Sequence, residues 1–325
     1  MADPFPPFST APLLRLGTRR SPLAMAQAEE ARERLCAAHG WAPEQVELVP
    51  VTASGDKVQD RPLAEIGGKA LWTKELDGWL HEGRIDAAVH SLKDVETLRP
   101  DWLTIAAILP REDKRDVLLG AASIAALPQG AVIGTSAPRR AAQALHHRPD
   151  CRVVTFRGNV ATRIARLAAG EADATFLAAA GLARLGEHGV GHPLENDTWL
   201  PAPSQGAIAI ECRTEDARMR AALRAIDHGP SRREVMAERA LLAALGGSCH
   251  SPIAVLCEAE GGTMMVMRAA LFSPDGAEKV EARARFPAGD TDAPGRLAAE
   301  LLALATPGIA AYFSGPGDEG QGAVG

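Results

Sequence analysis

The residues best suited to chemistry gather at a few junctions in the chain. Arg19 and Arg20 follow the apolar run 13–16, Lys93 and Asp94 follow 87–90, Arg139 and Arg140 follow 131–134, and Arg157 follows 152–156, with Arg163 one turn further on. A guanidinium is a planar fork that grips a carboxylate or phosphate with two bonds. A set of such forks predicts a ligand carrying several anionic groups. A carboxylate among them, Asp94, has the chemistry to offset a developing cation or to move a proton; it has equally the chemistry to cap a turn. Cys249 is the remaining candidate, following Gly246-Gly247-Ser248 and preceding Pro252. A thiolate there would be a nucleophile or an attachment point, and a thiol would be a small apolar filler; spacing leaves both open. His250 is adjacent, but neighbours in an extended turn point apart. Gly67-Gly68-Lys69 invites a phosphate-loop reading, yet Ala70 stands where Ser or Thr is required, so a glycine hinge is the better reading.

Elements must hold these residues in place. The run 13–16 reads as a buried strand. Ser21 is a good N-cap and Pro22 suits the first helical position, so a helix is expected to about Ala38, with Gly40 as its stop. Further strands are expected at 46–52, 87–90, 103–109, 131–134, 152–156, 174–177 and 207–211. Helices are expected at 71–81, after Pro138, after Asn159 and after Ala180. The helix after Asn159 carries Val160, Ile164 and Leu167 on one stripe, with Arg163 off it. This alternation predicts one or two mainly parallel α/β sheets. In open sheets of that kind, ligands bind beyond the carboxyl ends of the strands, where helix N-termini offer free N–H groups. The charged residues recur at those ends, although no residue repeat is visible. From about 230 the pattern becomes a helix at 231–245, strands at 253–257, 264–272 and 280–286, and a helix at 297–305, a small α+β domain. Ser54 to Lys69 holds Gly55, Gly67 and Gly68 without apolar periodicity. It is expected to be a mobile lid over a cleft.

Composition narrows the function class. A chain of 325 residues exceeds one core, so two or three domains are expected, and 46% apolar residues suffice to fill them. The net charge of −6 argues against general nucleic-acid binding, and no apolar run reaches the roughly 18–20 residues of a membrane helix. The five cysteines form no CxxC pair and no zinc spacing, so no metal is expected. An odd cysteine count in a chain without a secretion-type N-terminus fits a reducing cytoplasm. A solute-binding protein for an organic dianion remains the alternative; it would share the fold and the arginines without needing Asp94 or Cys249.

Taken together, the motifs resemble one family. They are GTRRSPLA at 17–24, PLAEIGGKALW at 62–72 with KEL at 74–76, HSLKDV at 90–95, Arg115-Asp116, GTS at 134–136, Arg139-Arg140 and RGNV at 157–160. AAGL at 179–182, PAPSQG at 201–206, AERA at 237–240 and GSC at 247–249 complete the set. In order and spacing they resemble the porphobilinogen deaminases, or hydroxymethylbilane synthases, over about residues 13–310. Departures fall at Trp72, Glu96, Lys114, Pro138, Ser204 and Ser248, the last two standing where the family commonly has Gly. None removes a charged or nucleophilic group.

The resemblance implies condensation of four porphobilinogens, head to tail with loss of ammonia, into a linear tetrapyrrole. It implies a primer, a dipyrromethane cofactor bound by a thioether to Cys249. Asp94 would be the catalytic carboxylate. Lys93, Thr135, Ser136, Arg139, Arg140 and Gln205 would hold the cofactor, and Arg19, Ser21, Lys69, Arg157 and Arg163 the substrate. The implied fold is α/β: two periplasmic-binding-protein-like, doubly wound domains flanking a cleft, at about 10–110 with 207–226 and at 111–206, and a small α+β domain at 227–325. A cytoplasmic monomer acting on a small molecule is expected, with neither nucleic acid nor membrane as partner.

Overall fold

The structure, a computed structural model, describes residues 12–52, 73–248, 250–313 and 315. They divide into two compact units. The first takes the described residues among 12–52, 73–112 and 206–232; the second those among 113–205, 233–248, 250–313 and 315.

The first unit is built on a five-stranded sheet in the order β2-β1-β3-β10-β4. Its strands are β1 (Leu14–Arg19), β2 (Val46–Val51), β3 (Ala87–Ser91), β4 (Leu103–Ile108) and β10 (Ile208–Arg213). Helix α1 (Pro22–His39) begins as the sequence predicts: the Ser21 side chain accepts from the Ala24 N–H, and Gly40, at φ 70°, closes the last turn onto the Cys36 carbonyl. Its Ala28, Ala31 and Leu35 bury against Leu14, Leu16, Ala87 and Val89 on one sheet face. The opposite face takes Leu76 and Leu80 of α2 (Lys74–His81), together with Ile85 and Ala88. Alternation of side chains along a strand produces this two-sided burial, and each leucine so enclosed contributes about 1.5–3 kcal/mol. Gly17 is required where β1 meets the second cluster, because a Cβ there would lie 2.3 Å from Ile85 Cδ1.

The second unit contains a sheet of the same plan, β7-β6-β8-β5-β9. Its strands are β5 (Asp116–Leu119), β6 (Val132–Gly134), β7 (Arg152–Val154), β8 (Ala174–Ala178) and β9 (His192–Pro193). Helix α3 (Pro138–His147) covers one face and α4 (Val160–Ala168) with α5 (Ala179–Arg184) the other. The predicted stripe Val160, Ile164 and Leu167 packs on Val117, Leu119 and Leu177. After α6 (Ala217–Arg224), helix α7 (Gly229–Ala244) leads to an antiparallel sheet of β11 (Ile253–Glu260), β12 (Met264–Phe272) and β13 (Lys279–Pro287). Helix α8 (Ala293–Leu304) and the short α9 (Pro307–Ala310) follow. One face of this sheet buries Val255, Met267 and Phe286 against α7 and α8. The other brings Ala254, Leu256 and Phe272 to Ala142 and Leu200. The approach is close at Gly276, whose added Cβ would lie 2.5 Å from the Ala142 carbonyl oxygen.

The five-stranded sheets are mainly parallel, as expected, with one strand reversed in each: β1 pairs in parallel with β2 and β3, and β6 with β7 and β8, while β10 runs antiparallel to β3 and β4, and β5 to β8 and β9. The antiparallel strand enters each sheet from a distant part of the chain and needs no helical crossover. In addition, β5 lies in a stretch that carried no strand expectation, directly after Arg115.

Candidate active site

The structure sorts the predicted residues into two clusters, one in each unit. In the first, β1 ends at Arg19 and β3 runs into a single 3-10 turn, Leu92–Asp94. The two strands are parallel neighbours, so their carboxyl ends lie together. A pocket opens there, lined by Arg19, Ala24, Gln27, Thr73, Val89, His90, Ser91, Asp94 and Val95. Arg19 and Asp94, predicted from separate motifs, thus share one cavity. Ser21 and Lys93 flank it, Ser21 as the cap of α1 and Lys93 beside Asp94, both half-buried. Sequence reasoning missed Gln27. It lies in the buried stripe of α1 among alanines, and its amide donates to Ser91 Oγ at 2.8 Å. A polar residue at an i, i+3, i+4 core position was the available signal.

The second cluster forms where β6 passes into α3 and β7 into α4. Ser136 Oγ donates to the Phe156 carbonyl at 2.7 Å, and the buried Thr135 accepts the Ala137 N–H. Gly134 is needed because a Cβ would lie 2.5 Å from the Phe156 ring. Asn159 caps α4 by accepting from the Thr162 N–H; Arg163 Nε donates to the Gly158 carbonyl at 3.1 Å, and Arg157 is buried. Arg139 and Arg140 are buried too, and both turn to Asp116 of β5. Arg139 Nη2 lies 2.8 Å from Asp116 Oδ2, and its Nη1 donates to the Leu200 carbonyl. Arg140 reaches Asp116 Oδ1 through Nη2 at 2.7 Å and gives Nη1 to the Phe176 carbonyl. Gln205 donates to Asp116 Oδ1 and to the Lys114 carbonyl, and Trp199 Nε1 to Oδ2. Burial disfavours the charged carboxylate, but the two guanidinium charges outweigh it and hold Asp116 well below the usual carboxylate range. Burial, with Arg140 beside it, pulls Arg139 below the ordinary arginine value against the opposing pull of Asp116. The three residues Arg139, Arg140 and Gln205 therefore share an internal carboxylate that the sequence reading left without a role.

Two predicted site residues, Lys69 and Cys249, lie outside the described residues, as does the predicted lid from Ser54 to Lys69. The four described cysteines are poorly placed for covalent chemistry. Cys151, Cys212 and Cys257 are buried. Burial pushes the Cys212 thiol up to about 12 and raises Cys36 and Cys151 as well. Among the described residues no cluster of His, Cys, Asp or Glu is suited to a metal ion, and no helix is long and apolar enough to cross a membrane.

Comparison with known families decides what this arrangement belongs to. The model for the porphobilinogen deaminase dipyromethane cofactor binding domain matches residues 14–221, and that for the porphobilinogen deaminase C-terminal domain matches 232–303. The chain belongs to the porphobilinogen deaminase family. The porphobilinogen deaminase of Sphingopyxis alaskensis is 55% identical over 306 residues, 93% of this chain and 96% of that one. Those of Paracoccus denitrificans and Nitrobacter hamburgensis are 49% and 47% identical, each over 89% of this chain and over 93% and 92% of their own. Among solved structures, the periplasmic VFT2 domain of Bordetella pertussis BvgS aligns at 14% identity and a TM-score of 0.40, over 66% of this chain and 86% of that one.

The dipyrromethane of the porphobilinogen deaminases bears acetate and propionate carboxylates, which need cationic and hydroxyl donors. The second cluster has that donor chemistry: guanidinium groups at 139, 140, 157 and 163, hydroxyls at 135 and 136, and Asp116 as the carboxylate bonded to the first two. The residues present fit the group.

Proposed function

We propose that Asp94 and Arg19 form the reacting end of the site, and that the second unit holds a dipyrromethane joined by a thioether to Cys249. The reaction itself follows from family membership. The chain is a hydroxymethylbilane synthase, a transferase that condenses four porphobilinogens with release of ammonia into the linear tetrapyrrole of tetrapyrrole biosynthesis. The observation that carries the residue assignment is the shared pocket of Arg19 and Asp94 at the ends of β1 and β3.

In this reading the Arg19 guanidinium binds a carboxylate of the incoming pyrrole and orients its aminomethyl carbon. The Asp94 carboxylate faces the pyrrole N–H and offsets the positive charge that departing ammonia leaves on the substrate. The same carboxylate then takes the α-proton released after the carbon–carbon bond forms. Arg157 and Arg163 bind further substrate carboxylates, with Ser21 and Lys69 supporting. Lys93, Thr135, Ser136, Arg139, Arg140 and Gln205 hold the cofactor. When bound, the dipyrromethane supplies the nucleophilic pyrrole carbon on which the chain grows. The raised or buried thiols of the other cysteines support Cys249 as the attachment point. The reading places the enzyme in the cytoplasm as a monomer; an odd number of cysteines, five, suits a reducing compartment.

Intact mass spectrometry tests it. The purified chain should exceed its sequence mass by one dipyrromethane, and Cys249→Ala should lose that increment together with all turnover. An unmodified chain with full turnover would overturn the assignment.

A further inference from the structure

The turn between β7 and α4 carries Arg157, and a side chain with no part in the mechanism above holds that turn. Phe156 is fully buried beside Gly134, where an added Cβ would come within 2.5 Å of the ring. Arg166, from the last turn of α4, lays its guanidinium over the same ring, with Cζ 4.2 Å from the centroid. Its Nη1 donates to the Thr155 carbonyl at 3.3 Å, and Glu171 orients it by accepting Nε at 2.7 Å. Arg166 therefore grips both residues that lead into Arg157.

The rest of the turn is pinned from other directions. The Thr135 N–H donates to the Val154 carbonyl at 2.9 Å, and Ser136 Oγ to the Phe156 carbonyl at 2.7 Å. Beyond Arg157, Arg163 Nε donates to the Gly158 carbonyl, and the Asn159 side chain accepts the Thr162 N–H at 2.9 Å. The chain leaves Arg157 through Gly158 at φ 109°, and a Cβ there would meet Thr162 Cγ2 at 2.6 Å. Glycine is needed at that point, but it brings no stiffness of its own, so the direction of Arg157 depends on the contacts at either side. A guanidinium makes its two bonds to a carboxylate only when the planar fork is correctly aimed, and small misplacements of a binding group are costly. An ion pair with Glu171 would satisfy Arg166 at the helix surface; contact with Phe156 and Thr155 goes beyond that need.

We propose that Arg166 is a positioning residue for substrate binding: by holding Thr155 and Phe156 it fixes the turn that aims Arg157 at a substrate carboxylate. It acts through Arg157 and does not itself touch the substrate. This rests on the assignment of Arg157 to the substrate made above.

The test uses holoenzyme, with intact mass confirming cofactor loading and thermal melting confirming the fold. Arg166→Met keeps the length of the side chain and removes the fork. It should raise KM for porphobilinogen about two- to fivefold, the scale of an exposed guanidinium–ring contact, with kcat nearly unchanged. Arg148→Met is the structural control. Arg148 grips the Ile124, Leu127 and Pro128 carbonyls ahead of β6, at the amino ends of β6 and β7 and so at the opposite end of the sheet from Arg157. Its loss should lower the melting temperature and leave KM in place. In Arg157→Leu, or in Arg157→Lys where the first is too slow to assay, KM should rise, and adding Arg166→Met should raise it no further, because the group that Arg166 aims is gone. A wild-type KM in Arg166→Met overturns the proposal. So does an equal rise in Arg148→Met, which general loosening of the unit would produce, and so does a double variant in which the two single effects multiply. If Arg166→Met or Arg148→Met does not fold, Arg166→Gln or Arg148→Gln is read in its place. A wild-type KM in Arg157→Leu removes the assignment of Arg157 itself, whereas a raised KM there with an unmoved KM in Arg166→Met removes only the role of Arg166.

Discussion

The two five-stranded sheets share one strand plan but use their charged residues in opposite ways. In the first unit Arg19 and Asp94 stand half-exposed at the rim of a pocket, and the fully buried charge, Glu211, sits a layer behind. In the second, Arg139 and Arg140 are themselves the buried layer, folded inward on Asp116 with Trp199 and Gln205. The same sequence signal, a basic residue after a strand end, therefore marks a pocket-lining group in one place and a pair bonded to an internal carboxylate in the other. What differs is the strand beside it. In the second unit β5 delivers a carboxylate to the end of the sheet where α3 begins; in the first, the carboxylate delivered by β10 is taken up by Arg99 and His90.

Substitutions should separate the two regions. The largest effect is expected at Asp94: Asp94→Asn should reduce single-turnover formation of tetrapyrrole by about 10²–10⁴-fold while leaving the melting temperature in place. A normal rate would break the contrast from the side of the first unit. Asp116→Asn should act on stability instead. It leaves two guanidinium groups buried beside a neutral amide, and the loss of one partner from such a cluster costs about 3–5 kcal/mol. Urea unfolding measures this; a midpoint unchanged from wild type would mean that Arg139 and Arg140 do not depend on Asp116.

Acid should probe Glu211. Its carboxylate has an ordinary value of 4.5 and is held at about 2 in the fold, with burial opposing and His90 and Arg99 prevailing. A lowered folded-state value gives stability that is fully present above the unfolded value and is lost as pH falls toward the folded one. Thermal melts between about pH 4.5 and 2 should therefore decline less steeply for Glu211→Gln than for wild type, and parallel curves would count against the ion chain. The smallest effect is expected at Ser204. It has φ 62°, a left-handed conformation that glycine adopts without cost, and its buried hydroxyl has no hydrogen-bond partner. Ser204→Gly should raise stability by about 1 kcal/mol, although its backbone N–H, bonded to Glu238 at 2.7 Å, is unchanged. A lower midpoint would show that the hydroxyl is needed.

Much was legible in the sequence because local rules sufficed. Ser21, Pro22 and Gly40 mark both ends of α1, and the stripe Val160, Ile164 and Leu167 gives the buried face of α4. Arg19 and Asp94 could each be placed in advance at a strand end, where ligands bind in such sheets. Gln27, His90 and Glu211 could not be assembled in this way. They come from a helix and two strands far apart in the chain, and their meeting depends on β10 entering antiparallel beside β3. Asp116 was hidden for the same reason, since β5 is short and its partner β8 lies some sixty residues on. Sequence by itself determined most of the segments that become helices and strands, and which residue types stand at their ends, since capping, periodicity and chain stiffness act over a few residues. Tertiary structure alone decided which of the arginines line a pocket and which are bonded to a buried carboxylate, because that depends on the neighbour a distant strand supplies and on how deeply the packing buries the charge.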